Sequence, residues 1–271
     1  MMKQATVAFA AAMGFAAAGA VSAHAGGNGP GFDGQSWGIE VGGLGAVMPA
    51  YEGSKKYVVR GLPFAYPTFG GSDGDSNFQI RGLDDVRYRL IKLNGFEAGP
   101  LAGWRFGRRE DDADHLIGLG DVDGGLIVGA YAAYRLGMLM PYVSYHHQVT
   151  GDDTGGVLRF GVEAKQRLNP WLELTANGGA SYASSQYMDS FFGVTAIQSA
   201  HSGLAQFDAS AGIKDAFISL TADIRIDDQW GVKVFGRYSR LVGDAASSPI
   251  TETENQFLAG AAVTYRFTLG R

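Results

Sequence analysis

The stretch Asn255-Gln-Phe-Leu-Ala-Gly-Ala-Ala-Val-Thr-Tyr-Arg-Phe267 reads with a period of two. Phe257, Ala259, Ala261, Val263, Tyr265 and Phe267 are all apolar. Gln256, Gly260, Ala262, Thr264 and Arg266 between them are small or polar, with Leu258 as the exception. That period puts the two sets on opposite faces of a β-strand. The apolar face ends on Tyr265 and Phe267, as it would where an aromatic girdle meets the edge of a bilayer. A soluble sandwich strand could show the same alternation, so its repetition along the chain decides.

The repetition is there. Trp37, Ile39 and Val41 alternate with Gly38, Glu40 and Gly42, and Leu62 to Phe69 forms a second strand with prolines at 63 and 67 near its ends or at bulges. Phe78 and Ile80 follow, then Val86, Tyr88 and Leu90 opposite Arg87 and Arg89. Phe96, Ala98, Pro100, Ala102, Trp104 and Phe106 oppose Glu97 and Arg105. Further strands run over 124–135, 139–149, 157–168, 171–182, 216–226 and 230–238. In these, Arg159, Glu163, Lys165, Arg225, Lys233 and Arg237 stand opposite apolar rows.

Tight turns at 93–95, 135–137, 169–170 and 227–229 alternate with long polar or glycine-rich connections at 48–57, 108–123, 183–213 and 242–254. Short turns on one side and long loops on the other are the asymmetry of an outer-membrane barrel. Charges opposite an apolar row agree with that: they would line a polar lumen while the apolar row meets lipid. Leu204 to Ile213 could count as a thirteenth strand. Single-chain bacterial barrels use even numbers, so it is assigned to a loop, leaving about twelve strands. The expected fold is an all-β, single-chain antiparallel transmembrane β-barrel over 36–271.

The start of the chain reads as a cleaved signal peptide. Lys3 precedes an apolar run from Val7 to Val21, and Ala23-His24-Ala25 suits cleavage before Gly26. Residues 26–35 then form a flexible linker. There is no cysteine for disulfides or thiolate chemistry, and 22 Lys plus Arg against 27 Asp plus Glu leave no basic excess for nucleic acid. No cofactor is implied.

Other residues invite chemistry. Ser144 and His146 share a strand face, with His147 pointing away and Asp152 nearby, but a hydrolase needs nucleophile, base and orienting acid within reach. Histidines at the outer interface are the plainer reading. Asp111, Asp112, Asp114, Asp121 and Asp123 do not have EF-hand spacing and read as a solvated acidic loop. The lumen charges, of mixed sign, would select a solute in an open barrel or pair and plug a narrow one. Phe191 and Phe192, in a polar loop, would contact a partner or fold over the lumen.

The long loop contains Tyr187-Met-Asp-Ser-Phe-Phe-Gly-Val-Thr195, Gln198-Ser-Ala-His-Ser-Gly-Leu204 and Ala211-Gly-Ile-Lys-Asp215. With Pro49-Ala-Tyr-Glu-Gly-Ser54 and Arg240-Leu-Val-Gly-Asp-Ala-Ala-Ser-Ser-Pro249, this resembles the MltA-interacting protein (MipA/OmpV) family over nearly the whole mature chain. The resemblance implies an outer-membrane barrel among lipids, delivered by the barrel-assembly machinery. In the family's namesake it implies a scaffold between a murein hydrolase (a lytic transglycosylase) and a peptidoglycan synthase. It supplies no catalytic residues. Such chains commonly stop at a terminal aromatic, whereas here Thr268-Leu-Gly-Arg271 follows Phe267. Tyr51, Glu52, Gly53, Tyr187, Phe191, Phe192 and Gly193 are the candidate partner residues. A narrow channel for small polar solutes, or a barrel binding external partners, is the alternative.

Overall fold

The computed structural model describes residues 37–69 and 77–270. The expected leader, the linker and the turn at 70–76 lie outside those residues. Strands β1 (Trp37–Pro49), β2 (Tyr57–Phe69), β3 (Phe78–Gly82), β4 (Asp85–Tyr88), β5 (Ile91–Leu93) and β6 (Phe96–Arg105) come first. Then follow β7 (Gly125–Tyr134), β8 (Leu139–Gln148), β9 (Gly156–Asn169), β10 (Leu172–Ala183), β11 (Gly212–Arg225), β12 (Trp230–Leu241) and β13 (Asn255–Gly270). Helices α1 (Ser185–Phe192) and α2 (Ala196–Ser202) lie before β11, and α3 (Gly243–Ser247) before β13.

The sheet runs β2-β1-β13-β12-β11-β10-β9-β8-β7-β6-β4-β3, with β5 also on β6. Since β4 and β5 both lie along β6, they are one strand interrupted at Arg89 and Leu90, and the wall has twelve strand positions. Gly99 faces the break: a Cβ there would lie 1.9 Å from the Tyr88 carbonyl oxygen. The first and last strands pair antiparallel from Trp37↔Gly270 to Val47↔Ala259, which curls the sheet into a barrel. β13 thus continues past Phe267; of the stretch Leu204 to Ile213 assigned to a loop by parity, 204–211 is loop and Gly212 and Ile213 open β11. β1 and β2 are longer than their alternation suggested, so the first long connection shrinks to 50–56.

Among the described residues no ladder joins β2 to β3, so the seam of the barrel lies there. The prolines of β2 take their meaning from it. Pro63 sits in an unbroken ladder opposite Gly43 of β1, with no bulge. Its nitrogen, lacking a proton, must face the edge away from β1, where no ladder bond is lost. The reason for this proline is an edge rather than a strand end or a bulge.

The strand faces are inverted relative to a water-soluble fold. On β13, Phe257, Ala259, Ala261, Val263 and Phe267 are exposed while Gln256 and Ala262 are buried. Leu158, Phe160, Val162, Ile218, Leu220 and Val234 are exposed too, yet Arg87, Glu97, Glu163 and Asp215 are buried. An apolar exterior around a charged interior is stable only where the exterior meets hydrocarbon. Trp171, Trp230 and Phe267 stand exposed at the short-turn end, with Trp230 packed edge-on against Tyr265 at 4.9 Å. Tyr145, Tyr182 and Phe257 are exposed near the other end, so two aromatic belts bound the apolar band.

The turns follow from local chemistry. Asn94 (φ 49°) and Gly95 (φ 86°) are both left-handed, the two-residue hairpin whose twist matches its strands. No helix among the described residues is long and apolar enough to cross a membrane.

Val162→Arg places a charge on the apolar exterior and should cost about 2–4 kcal/mol. Reversible denaturant unfolding in lipid vesicles measures it. Undiminished stability would mean that the outward face does not meet lipid.

Candidate functional site

Two layers occupy the barrel: a web of ion pairs in the lumen and a cap of packed loops above it. Strand alternation aims most of the lumen charges inward, and pairing neutralises most of those. Arg87 is 1% exposed and grips Asp85 through both Nε (2.6 Å) and an Nη (2.7 Å). Its guanidinium also lies 4.6 Å from the Tyr131 ring and 5.3 Å from that of Tyr142. Arg159 pairs with Asp84 at 2.8 Å and approaches Asp85 at 3.9 Å. Glu163 pairs with Arg81 at 2.5 Å. Arg89 meets Glu97 at 3.6 Å, Lys165 meets Glu173 at 2.6 Å, and Lys233 meets Asp223 at 2.9 Å.

Glu163 finds its partner on another strand. Strand neighbours two residues away share a face, but a curved wall lets Arg81 reach from the β3 hairpin. Arg225 differs as well: it is exposed at the short-turn end of β11 rather than enclosed with the others.

Ser144 and His146 do face the same way, and each is 1% exposed. Ser144 Oγ lies 2.9 Å from His146 Nε2, and His146 Nδ1 lies 3.0 Å from the Asp84 carbonyl oxygen. A backbone carbonyl takes the place where a triad would hold a carboxylate, and the pair is buried among the lumen charges. His147 turns outward and stacks on Tyr145 at 6.2 Å.

The cap joins the connections 50–56, 106–124, 184–211 and 242–254. α1 is fixed at its start by Ser184, whose side chain accepts from the Tyr187 N–H. Its apolar side, Tyr187, Met188, Phe191 and Phe192, packs on Val157, Ala183, Leu241 and Ala245. Tyr51, Leu116, Leu119, Val194 and Ile250 form an adjoining cluster. Phe191 and Phe192, 6% and 0% exposed, therefore close the barrel and do not project from it. Gly193 ends α1, donating to the Asp189 and Met188 carbonyls.

Polar contacts lock the cap to the wall. Tyr187 donates to Glu52 at 2.7 Å, and Lys214 of β11 bonds Glu52 and also Asp215 at 2.6 Å. Arg105 lies over the Tyr187 ring at 4.8 Å. The Tyr51 hydroxyl contacts His115, the Ile250 carbonyl and Glu252; burial first, then Glu252, pushes its pKa well up. Gly53, at φ 98°, donates to Gln256 and accepts from Glu252 and Thr253. Arg108, 1% exposed, donates to the Phe191 carbonyl at 3.2 Å. The expected partner residues at 51–53 and 187–193 are thus brought together, but largely inward. Lys214 and Arg108, which sequence reading missed, carry the contacts. Lys214-Asp215 stood in the quoted loop motif, and its adjacent opposite charges were the available signal.

The acidic loop spends its carboxylates on backbone. Asp112 accepts from the Arg109 N–H at 2.9 Å, Asp121 from Glu110 at 2.9 Å, and Asp111 pairs with Arg109 at 3.1 Å. Among the described residues no group of three or more such side chains could hold a metal ion.

A model of the MltA-interacting protein MipA family matches residues 41–267. Outer membrane protein Omp26La of Vibrio anguillarum is 28% identical over 240 residues, which is 85% of this chain and 86% of that protein. Outer membrane protein OmpV of Vibrio cholerae shows the same identity and coverage. Among solved structures, OprB of Pseudomonas putida aligns with 86% of this chain and 94% of its own, at 8% identity and a TM-score of 0.43.

Lys214→Met removes the cation between two carboxylates and should cost about 3–5 kcal/mol, as breaking a buried pair does. Protease cleavage within 184–211 should rise in parallel. A variant with the wild-type unfolding midpoint and cleavage rate would show that this contact does not hold the cap.

Proposed function

We propose, for a chain that belongs to the MltA-interacting protein MipA family, a role as an outer-membrane anchor and scaffold rather than as an open conduit or an enzyme. The barrel is the fixed part, and the partner is a murein hydrolase of the kind the family name records, with a peptidoglycan synthase as a second client. The carrying observation is the paired and capped interior: ion pairs such as Arg87–Asp85 and Arg159–Asp84 lie buried in the lumen, and the aromatic residues of α1 pack at its mouth. A barrel of twelve strands lies between those filled by side chains and those that leave an aqueous channel. Pairing and the cap support reading it with the filled ones.

The sidedness of this role follows from strand parity. Trp37 of β1 and Gly270 of β13 pair at the short-turn rim, so the capped end faces outward and a murein enzyme would meet the other. That rim offers exposed Arg135 and Arg167 beside exposed Leu136, Met138 and Trp171. This is a modest surface with cationic and apolar elements, suited to a protein partner.

A narrow channel for small polar solutes is the second reading. It is favoured by the cationic lumen strands, where Arg60 and Arg105 have no carboxylate in ion-pair reach among the described residues.

Reconstituted protein should give little or no single-channel conductance, and affinity capture from solubilised envelope should recover a lytic transglycosylase. Large, stable currents without capture would replace the scaffold with the channel. For sidedness, Ser190→Cys in this cysteine-free chain should react with an impermeant maleimide on intact cells. Leu136→Cys should react only once the outer membrane is opened. The reverse pattern would turn the barrel over.

A further inference from the structure

The hairpin of β3 and β4 is joined to the wall along one edge. On the β6 side Val86 pairs with Ala102 and Arg87 with Leu101, and the Trp104 N–H donates to the Leu83 carbonyl at 2.8 Å. Gly103 lets the tip lie close, since a Cβ there would stand 2.6 Å from the Asp84 Cα. On the other side no ladder joins β3 to β2 among the described residues. The next edge along differs: β1 and β2 pair without a break from Trp37↔Phe69 to Pro49↔Tyr57.

The chemistry of β2 keeps that seam from zipping. Pro63 and Pro67 are four residues apart in a regular ladder, so their nitrogens face the same way, toward the seam. Neither offers a proton to a neighbouring strand. Across the seam, the Tyr66 ring stacks on that of Phe78 at 6.0 Å. The Tyr66 hydroxyl donates to Glu40 of β1, which also pairs with Arg266 of β13, so Tyr66 is fixed to its own side.

The hairpin is held from within. Arg81 pairs with Glu163 of β9 at 2.5 Å, Asp84 pairs with Arg159 of the same strand at 2.8 Å, and the Asp84 carbonyl lies 3.0 Å from His146 Nδ1. β9 stands four places from β4 in the sheet, so these bonds cross the inside of the wall. A few side-chain contacts can release together, whereas a long ladder resists local opening.

We propose that the β3–β4 hairpin is a lateral door: hung on β6, latched to β9 from inside and unzipped from β2, it swings to part the seam and join the lumen to the bilayer. Glu163 and Arg159 then do more than neutralise buried charge; they hold the door shut. The device is independent of whatever the barrel anchors or admits.

The test uses full-length protein in phospholipid vesicles, with spin labels on cysteines introduced at outward positions of this cysteine-free chain. Ile80→Cys with Phe257→Cys reports the door against the wall. Val162→Cys with Phe257→Cys reports two wall strands joined through unbroken ladders. Arg159→Gln cuts the latch at Asp84 and Asp85. It should raise the population at a displaced Ile80–Phe257 distance several-fold and leave the Val162–Phe257 distance unchanged. An Ile80–Phe257 distribution that Arg159→Gln does not alter, or equal broadening of both pairs, overturns the door. Should Arg159→Gln fail to fold, hydrogen exchange of the wild type decides. Amides of 78–88 that exchange about tenfold faster than those of 157–168, or more, uphold the proposal, and a smaller difference overturns it.

Discussion

Hydrocarbon offers no partner to a peptide group, so each N–H and C=O in a membrane wall must find one on a neighbouring strand. The pairing of β1 with β13 answers that demand at the chain's two ends. It joins Val41 to Tyr265 and Gly45 to Ala261, residues more than two hundred positions apart in sequence. Everything else in the structure follows from a sheet curled until the strands at the two ends of the chain pair. One face becomes the outside of the wall and the other lines its inside. The exception shows the rule. Where β2 has no ladder to β3 among the described residues, Pro63 turns its protonless nitrogen to that edge.

Closure also decides what charged side chains do. Turned inward and withdrawn from bulk water, they are costly unless paired. Arg87 pairs with Asp85 along its own strand, while Arg159 with Asp84 and Glu163 with Arg81 join residues of distant strands and turns. The interior is therefore held by ion pairs together with one apolar cluster on β6, β7 and β8, around Leu101, Ile127, Tyr131 and Met140. The other apolar clusters lie at the mouth, where α1 and the long connections bury Phe192, Met188, Leu116 and Ile250. The cap is a small globular unit on a membrane frame, with Lys214 and Glu52 as its polar tie to the wall.

Much of this was legible in the residues because strand alternation is a local property. A period of two marked the exposed apolar rows of β9 and β13, Leu158, Phe160, Val162 and Phe257, Ala259, Ala261, Val263, though Arg167 is exposed as well at the rim. Of the Leu204 to Ile213 stretch that parity placed in a loop, 204–211 is loop. Asn94-Gly95 announced its turn for an equally local reason, the backbone conformation that each tolerates. The shared face of Ser144 and His146 was visible in the same way. Family membership was legible from loop motifs whose structural purpose was not.

The sequence by itself determined which side chains face lipid, where the chain turns, and that the charges go inside. Each of these depends on spacing over a few residues. The tertiary structure alone decided which charges meet, because partners such as Arg81 and Glu163, or Glu52 and Lys214, are brought together by curvature and not by spacing. It also decided that Tyr187, Phe191 and Phe192 close the barrel. An apolar residue in a polar loop can face a partner or its own molecule. Only the packing of four distant connections over one mouth, with the barrel beneath them, settles which surface it covers.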